Sequence, residues 1–278
     1  MTESMTDFIE ITRGTAPLIV SMPHTGTALP PEIAPKFVSP WLARRDADWW
    51  IHRLYDFAAD LGATTIRTTL SRSVIDVNRD PSGKSLYPGQ TTTGLCPTET
   101  FDGDALYKDG TAPDETEIAR RRITYFQPYH DALAGEIARL RQTHPHIVLY
   151  EAHSIRSIVP RLFDGELPQF NIGTNSGASC GDALTRAVEQ ICDASGQSRV
   201  TNGRFKGGWT TRAYGRPQNG VHAIQMELSC RGYMDEPDGT PDENNWPSQY
   251  VEARAAAMRQ TLTKILNACI AFAHEENT

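Results

Sequence analysis

The sequence predicts an α/β protein: a three-layer α/β/α sandwich around a mixed, mostly parallel central sheet. Three observations carry this reading. Short apolar or β-branched runs alternate with stretches of helical spacing along the whole chain. Several of those runs read as buried strands and end abruptly in polar, chemistry-bearing residues. The 278 residues, 39% of them hydrophobic and 22% charged, are enough to fold around one large core. We therefore expect a single domain over residues 1–278.

Taken in order, Pro17 to Met22 reads as a short buried strand that stops at Pro23-His24-Thr25-Gly26. Leu42 to Leu61 has helical spacing through Trp50, Leu54, Phe57 and Leu61, with Gly62 placed to end it. Thr64 to Thr69 and Val74 to Val77 are strand-like, and residues 81 to 113 form a long Gly-, Pro- and Thr-rich excursion. Asp114 should cap a helix running to about Gln142, kinked at Pro128. Ile147 to Tyr150 is a buried strand that runs into Glu151-Ala152-His153-Ser154. A helix near Gly181 to Ile191, strands near Arg199 to Thr201 and Ala223 to Leu228, and a last helix from about Ser248 to Phe272 complete the pattern.

The formal net charge of −7 and pI of about 5.6 argue against a nucleic-acid partner. The largest basic run, Arg120-Arg121-Arg122, reads as a solvated helix face. Five scattered cysteines, Cys96, Cys180, Cys192, Cys230 and Cys269, form no C-x-x-C pair, which argues against a disulfide framework and a cysteine-built zinc site. The polar segment Met1 to Glu10 carries no signal-peptide core, and no apolar run is long enough to span a membrane. A cytoplasmic protein is expected.

Two histidines, His24 and His153, directly follow buried strands, where α/β sheets place their active sites. A hydrolytic metal needs three protein ligands, and the carboxylates available beside them are Asp46, Asp48 and Glu151. His52, His130, His144, His146 and His274 read as ordinary surface residues, and His222 is left open. Glu227 sits inside an apolar strand, where a carboxylate is costly unless it is paired or turned to function as a base. Arg72 and Arg79 flank Asp76 and Asn78, and Thr211 and Arg212 follow a glycine-rich segment. Such arginines suit a small acidic guest, because the guanidinium grips a carboxylate with two prongs. No G-x-S-x-G elbow is present to suggest a serine hydrolase.

Six motifs, in this order, resemble the N-formylglutamate amidohydrolase (deformylase) family: Pro23-His24-Thr25-Gly26, Asp46-Ala47-Asp48-Trp49, Ser71-Arg72 through Asp76-Val77-Asn78-Arg79-Asp80, Glu151-Ala152-His153-Ser154, Lys206 through Arg212, and Gln225-Met226-Glu227-Leu228. The resemblance implies hydrolysis of N-formyl-L-glutamate to formate and glutamate, the last step of one route of histidine degradation. That family is similar, more distantly, to zinc carboxypeptidases and aspartoacylases, which share a three-layer α/β/α fold. By that likeness His24 and His153 are metal ligands, Asn78-Arg79 is an Asn-Arg pair, and Glu227 is the base. Those relatives place an acidic ligand three residues after the first histidine, where this chain has Thr27. Asp48 is the expected third ligand, ahead of Asp46 and Glu151. The implied cofactor is Zn2+, although another divalent metal would suit the same N/O donors.

In the expected mechanism Glu227 takes the proton of the attacking water and passes it to the leaving amine. Arg79 helps stabilise the oxyanion, Arg72 and Arg212 hold the substrate carboxylates, and Asn78 and Thr211 add donors. The alternatives are a related zinc amidohydrolase or carboxypeptidase for another N-acyl acidic amino acid, and a non-catalytic relative that binds a metal or small molecule.

Overall fold

The computed structural model describes residues 7–275. Seven strands form one sheet: β1 (Ile9–Thr12), β2 (Leu18–Met22), β3 (Thr64–Thr68), β4 (Ile147–Ile155), β5 (Phe170–Gly173), β6 (Arg199–Thr201) and β7 (Val221–Ser229). Their spatial order is β1-β3-β2-β4-β7-β5-β6. The pairings β3/β2, β2/β4, β4/β7 and β5/β6 are parallel, and β1/β3 and β7/β5 are antiparallel. The expected mixed, mostly parallel sheet is thus present, and four parallel neighbours (β3, β2, β4 and β7) bring their carboxyl ends to one edge.

Alternation along these strands builds two cores. Leu18, Val20, Val148, Tyr150, Ile224 and Met226 point to one face, where α4 (Asp182–Ala194) and α6 (Glu252–Glu275) pack through Leu184, Val188, Leu262 and Ile265. Ile19, Ile147, Leu149 and Ala223 point to the other, against Tyr129 and Leu133 of α3 (Gln127–Arg141). The same period of two puts Glu151 and His153 of β4, and Gln225 and Glu227 of β7, on the α3 side. Pairing aligns Glu151 with Gln225 and His153 with Glu227. Register thus assembles four polar side chains at the strand ends.

Several expected elements take another form. Residues 42–61 are not one helix. Only Ile51–Leu54 (α1) is α-helical, and Trp50 before it has a left-handed φ of 65°. The Asp48 N–H donates to His24 O at 2.9 Å, so the chain is drawn toward the end of β2 instead of coiling. Val74 to Val77 is a turn and not a strand, because Asp76 folds back to accept from the Asn78 N–H at 2.9 Å. The helix after Asp114 does form: the Asp114 carboxylate accepts from the Glu117 N–H and caps α2 (Glu115–Arg121). Its irregularity precedes Pro128: residues Arg122–Phe126 make a π turn, since Pro128 has no N–H for the ladder, and Ile123 is left facing solvent. Arg121 is fully buried rather than solvated, donating to Glu117, Val74 O and the Tyr107 hydroxyl. The strands β1 and β5 and the short helix α5 (Trp209–Tyr214) went unforeseen, all six residues or fewer.

His130 is also buried, not a surface residue. Its Nε2 lies 2.8 Å from Val77 O and its Nδ1 3.0 Å from the Tyr214 hydroxyl. Burial pulls its pKa from 6.5 to about 4. Between those values the unfolded chain binds a proton that the folded protein refuses, so stability is complete above pH 6.5 and falls as the pH drops toward 4. The loss from this one group should approach about 3 kcal/mol. His130→Gln is expected to flatten that part of the pH dependence. Urea unfolding of both proteins in the presence of chelator measures it, and an unchanged slope would remove His130 as its source.

Candidate active site

The strand ends converge on a cleft lined by His24, Arg72, Asn78, Arg79, His153 and Glu227, among others. His24 follows β2, His153 lies near the end of β4, and Asp48 is carried in by the bent segment before α1. Among the described residues these three form the group suited to a metal: one ligand atom of each lies within 4.8 Å of the others, and all three are buried. His153 Nδ1 is 3.0 Å from Asp48 Oδ2, and His24 Nδ1 is 3.7 Å from the same oxygen. Asp46 turns away, its Oδ2 accepting from the Phe101 N–H at 2.7 Å. Thr27 does not line the cleft, and its carbonyl accepts from Arg44 Nε at 2.8 Å.

A carboxylate also stands at the far nitrogen of each histidine. His24 Nε2 lies 2.7 Å from Asp76 Oδ1. His153 Nε2 lies 3.5 Å from Glu151 Oε2 and 3.0 Å from Asn78 Nδ2. Both Glu151 oxygens are buried without a hydrogen-bond partner. Carboxylates placed behind imidazoles in this way fix ring orientation and raise the basicity of the front nitrogen. Two imidazoles and one carboxylate, so backed, fit a divalent ion such as zinc.

Burial and neighbouring charges set the protonation of these groups one by one. Burial opposes a charged His153, but the bond to Asp48 and the nearby Glu151 carboxylate outweigh it and push the imidazole up to about 10. Burial likewise opposes an ionised Asp48, yet His153, His24 and Arg72 hold it below the usual carboxylate range. His24, buried and beside Arg72, is pushed down to about 4. Glu227 is pushed up to about 7, chiefly by burial, with the charge of His153 acting against the rise. Gln225 Nε2 donates to Glu227 Oε2 at 3.0 Å and fixes that carboxylate.

Asp76 ties the floor together. Besides His24, it accepts from Arg72 Nη2 at 2.6 Å and lies 3.7 Å from Arg79 Nη2. Arg79 otherwise donates to Thr93 O and Thr93 Oγ1, both at 3.0 Å. Asn78 Oδ1 accepts from the Thr210 N–H at 2.9 Å. A Cβ on Gly208 would lie 2.4 Å from Asn78 Nδ2, so only glycine leaves room for that amide.

Thr211 and Arg212 differ from their expected placement. Thr211 is fully buried in α5 behind Gly207, and Arg212 donates to Gly207 O and lies 4.9 Å from the Tyr87 ring centre; neither lines the cleft. Arg204 and Gln225 line it instead, and the sequence reading assigned neither a role. Gln225 had a signal: it is a polar residue in an apolar strand, two positions from Glu227 and so on its face. Arg204 had none, standing between Gly203 and Phe205 outside every motif that carried a role.

The fold and the cleft define an α/β protein with an arginine-lined cleft at the carboxyl ends of its parallel strands. The chain belongs to the N-formylglutamate amidohydrolase family, whose match covers residues 16–234. It is 45% identical over 272 residues to the N-formylglutamate deformylase of Pseudomonas aeruginosa, covering 98% of this chain and 99% of that protein. It is 43% identical over 264 residues to that of Pseudomonas putida, covering 95% and 96%. The crystal structure of an N-formylglutamate amidohydrolase from Ralstonia eutropha shares the fold at a TM-score of 0.75 and 23% identity, covering 96% of this chain and 97% of that one. No helix among the described residues is long and apolar enough to cross a membrane.

Proposed function

We propose that the protein hydrolyses N-formyl-L-glutamate to formate and L-glutamate with the help of a divalent metal, zinc being the first choice. The observation that carries this reading is the meeting of His24, Asp48 and His153 with Glu227 in one arginine-lined cleft, in a chain of this family. His24, Asp48 and His153 would hold the metal. A zinc ion there would supply Lewis-acid activation of water and of the formyl carbonyl.

The remaining work falls to the protein's own groups. Glu227 accepts a proton from the attacking water at one carboxylate oxygen and delivers it to the departing amine nitrogen. A carboxylate raised toward neutrality by burial suits both halves of that transfer. Arg79, Arg72 and Asn78 face the cleft and orient the anionic substrate, with Arg79 also placed to steady the developing oxyanion. Thr211 and Arg212 support Gly207 and Gly208 from behind, and so hold Asn78 in place. We read residues 1–278 as one catalytic domain, working in the cytoplasm at the end of a histidine-degradation route. The one sheet with a core on each face, and five buried cysteines without a disulfide, support those two placements.

The test is formate release from N-formyl-L-glutamate by purified protein, before and after chelation, and with zinc restored. Chelation should lower the rate at least about tenfold and zinc should return it. A folded, zinc-supplied sample that releases no formate would sink the substrate assignment. Turnover indifferent to chelator would sink the metal.

A further inference from the structure

Three arginines line the cleft, and they differ in what balances their charge. Arg72 is held by Asp76 and lies 3.8 Å from Asp48. Arg79 lies near Asp76. Arg204 forms no ion pair among the described residues. Its Nε donates to Leu162 O at 2.8 Å and its Nη2 to Thr91 O at 2.8 Å, so neutral carbonyls hold the guanidinium and Nη1 is outside both bonds. The ring centres of Tyr87 and Phe205 each lie 5.4 Å from it. Burial pulls Arg204 below the ordinary arginine range, and the nearby charge of Arg79 adds to the effect. A half-buried cation without an ion pair, repelled by Arg79 and drawn only at longer range toward Glu227 in the same cleft, is set up for an anion from outside.

N-formylglutamate brings two carboxylates. One is attached to the carbon that bears the scissile amide, and the other sits further out on the side chain. Arg79 follows Asn78, which touches His153, so it stands on the side of the reacting amide. Arg204 is fixed to Thr91 O and Leu162 O and, among the described residues, bonds none of His24, Asp48, His153 or Asn78. We propose that Arg204 is the residue that selects an acidic side chain, receiving the distal carboxylate on a guanidinium pre-set by two carbonyls and two rings. This rests on the reading that the cleft takes N-formylglutamate. It also gives the pre-set fork a purpose: a carboxylate gains two parallel bonds, whereas the side-chain amide of N-formylglutamine would set its NH2 against the same donors.

The experiment compares zinc-supplied wild type, Arg204→Lys and Arg204→Met on N-formyl-L-glutamate and N-formyl-L-glutamine. In Arg204→Met, kcat/KM for the glutamate substrate should fall by about 100-fold, mostly through KM, with only a few-fold change for the glutamine substrate. Arg204→Lys keeps the charge without the fork, and should recover part of the preference. A preference that stays at the wild-type ratio in both variants overturns the proposal. So does an equal loss on both substrates, which would mark Arg204 as a strut for the loop. Wild type inactive on N-formylglutamate overturns the substrate reading itself, and is told apart because it needs no variant.

Discussion

Glu227→Gln is expected to lower kcat on N-formyl-L-glutamate by about 10²–10⁴-fold while KM stays within a few-fold. The substitution preserves shape, burial and the neighbours of the side chain, and removes only the ability to carry a proton. Glu227 is held from several directions. Asn171 Nδ2 donates to its carbonyl at 3.1 Å, β4 places His153 directly opposite, and Gln225 binds Oε2. The variant should therefore fold and bind substrate. Burial is the main reason this carboxyl titrates near 7. A base must be ionised to act, so the rate should rise with pH across its titration in the wild type, and that limb should vanish with glutamine. Steady-state kinetics across pH would show both effects. A variant that keeps a third or more of kcat, or loses it only through KM, would take the proton transfer away from Glu227.

Much of this site was legible because period-two spacing and strand ends are written into local sequence. His24 and His153 were found by standing after apolar runs, and Glu227 by being a carboxylate inside one. The choice between Asp46 and Asp48 was not local. Helical spacing through Leu42 to Leu61 would have put both carboxylates on a regular helix. The bond from Asp48 N–H to His24 O, and the left-handed turn at Trp50, instead send Asp48 to the histidines and Asp46 to Phe101. Such long-range bonds override propensity, and a single sequence does not display them. The arginines teach the same lesson. Arg212 lay in a conspicuous glycine-rich motif yet stands behind the wall, whereas the isolated Arg204 reaches the cleft because its loop docks on Thr91 and Leu162.

Asp76→Asn should lower the free energy of unfolding by about 3–5 kcal/mol, the cost of stripping one partner from a buried charge network. Asp76 and Asp48 each meet three cationic groups at this site, and Asp76 also accepts from a backbone N–H. Asp76 is fully buried, accepts from Arg72 and the Asn78 N–H, bonds His24 Nε2, and lies near Arg79. Burial opposes its ionisation, but Arg79, His24 and Arg72 hold its carboxyl well below the usual range. Its stabilisation is therefore complete above the ordinary carboxylate pKa of 3.8 and is lost as the pH falls below that value. An amide in its place presents an NH2 to donors that need an acceptor, and leaves Arg72 buried with Asp48 at 3.8 Å as its remaining ion-pair partner. The same change releases the far nitrogen of His24, so zinc affinity should drop by about 10–100-fold. Urea unfolding in chelator isolates the first effect, and competition with a zinc indicator dye isolates the second. If the variant unfolded within about 1 kcal/mol of the wild type, the arginines would have to be stabilised by other groups, and Asp76 would be one acceptor among many. If stability fell but zinc affinity did not, Asp76 would hold the fold without orienting His24.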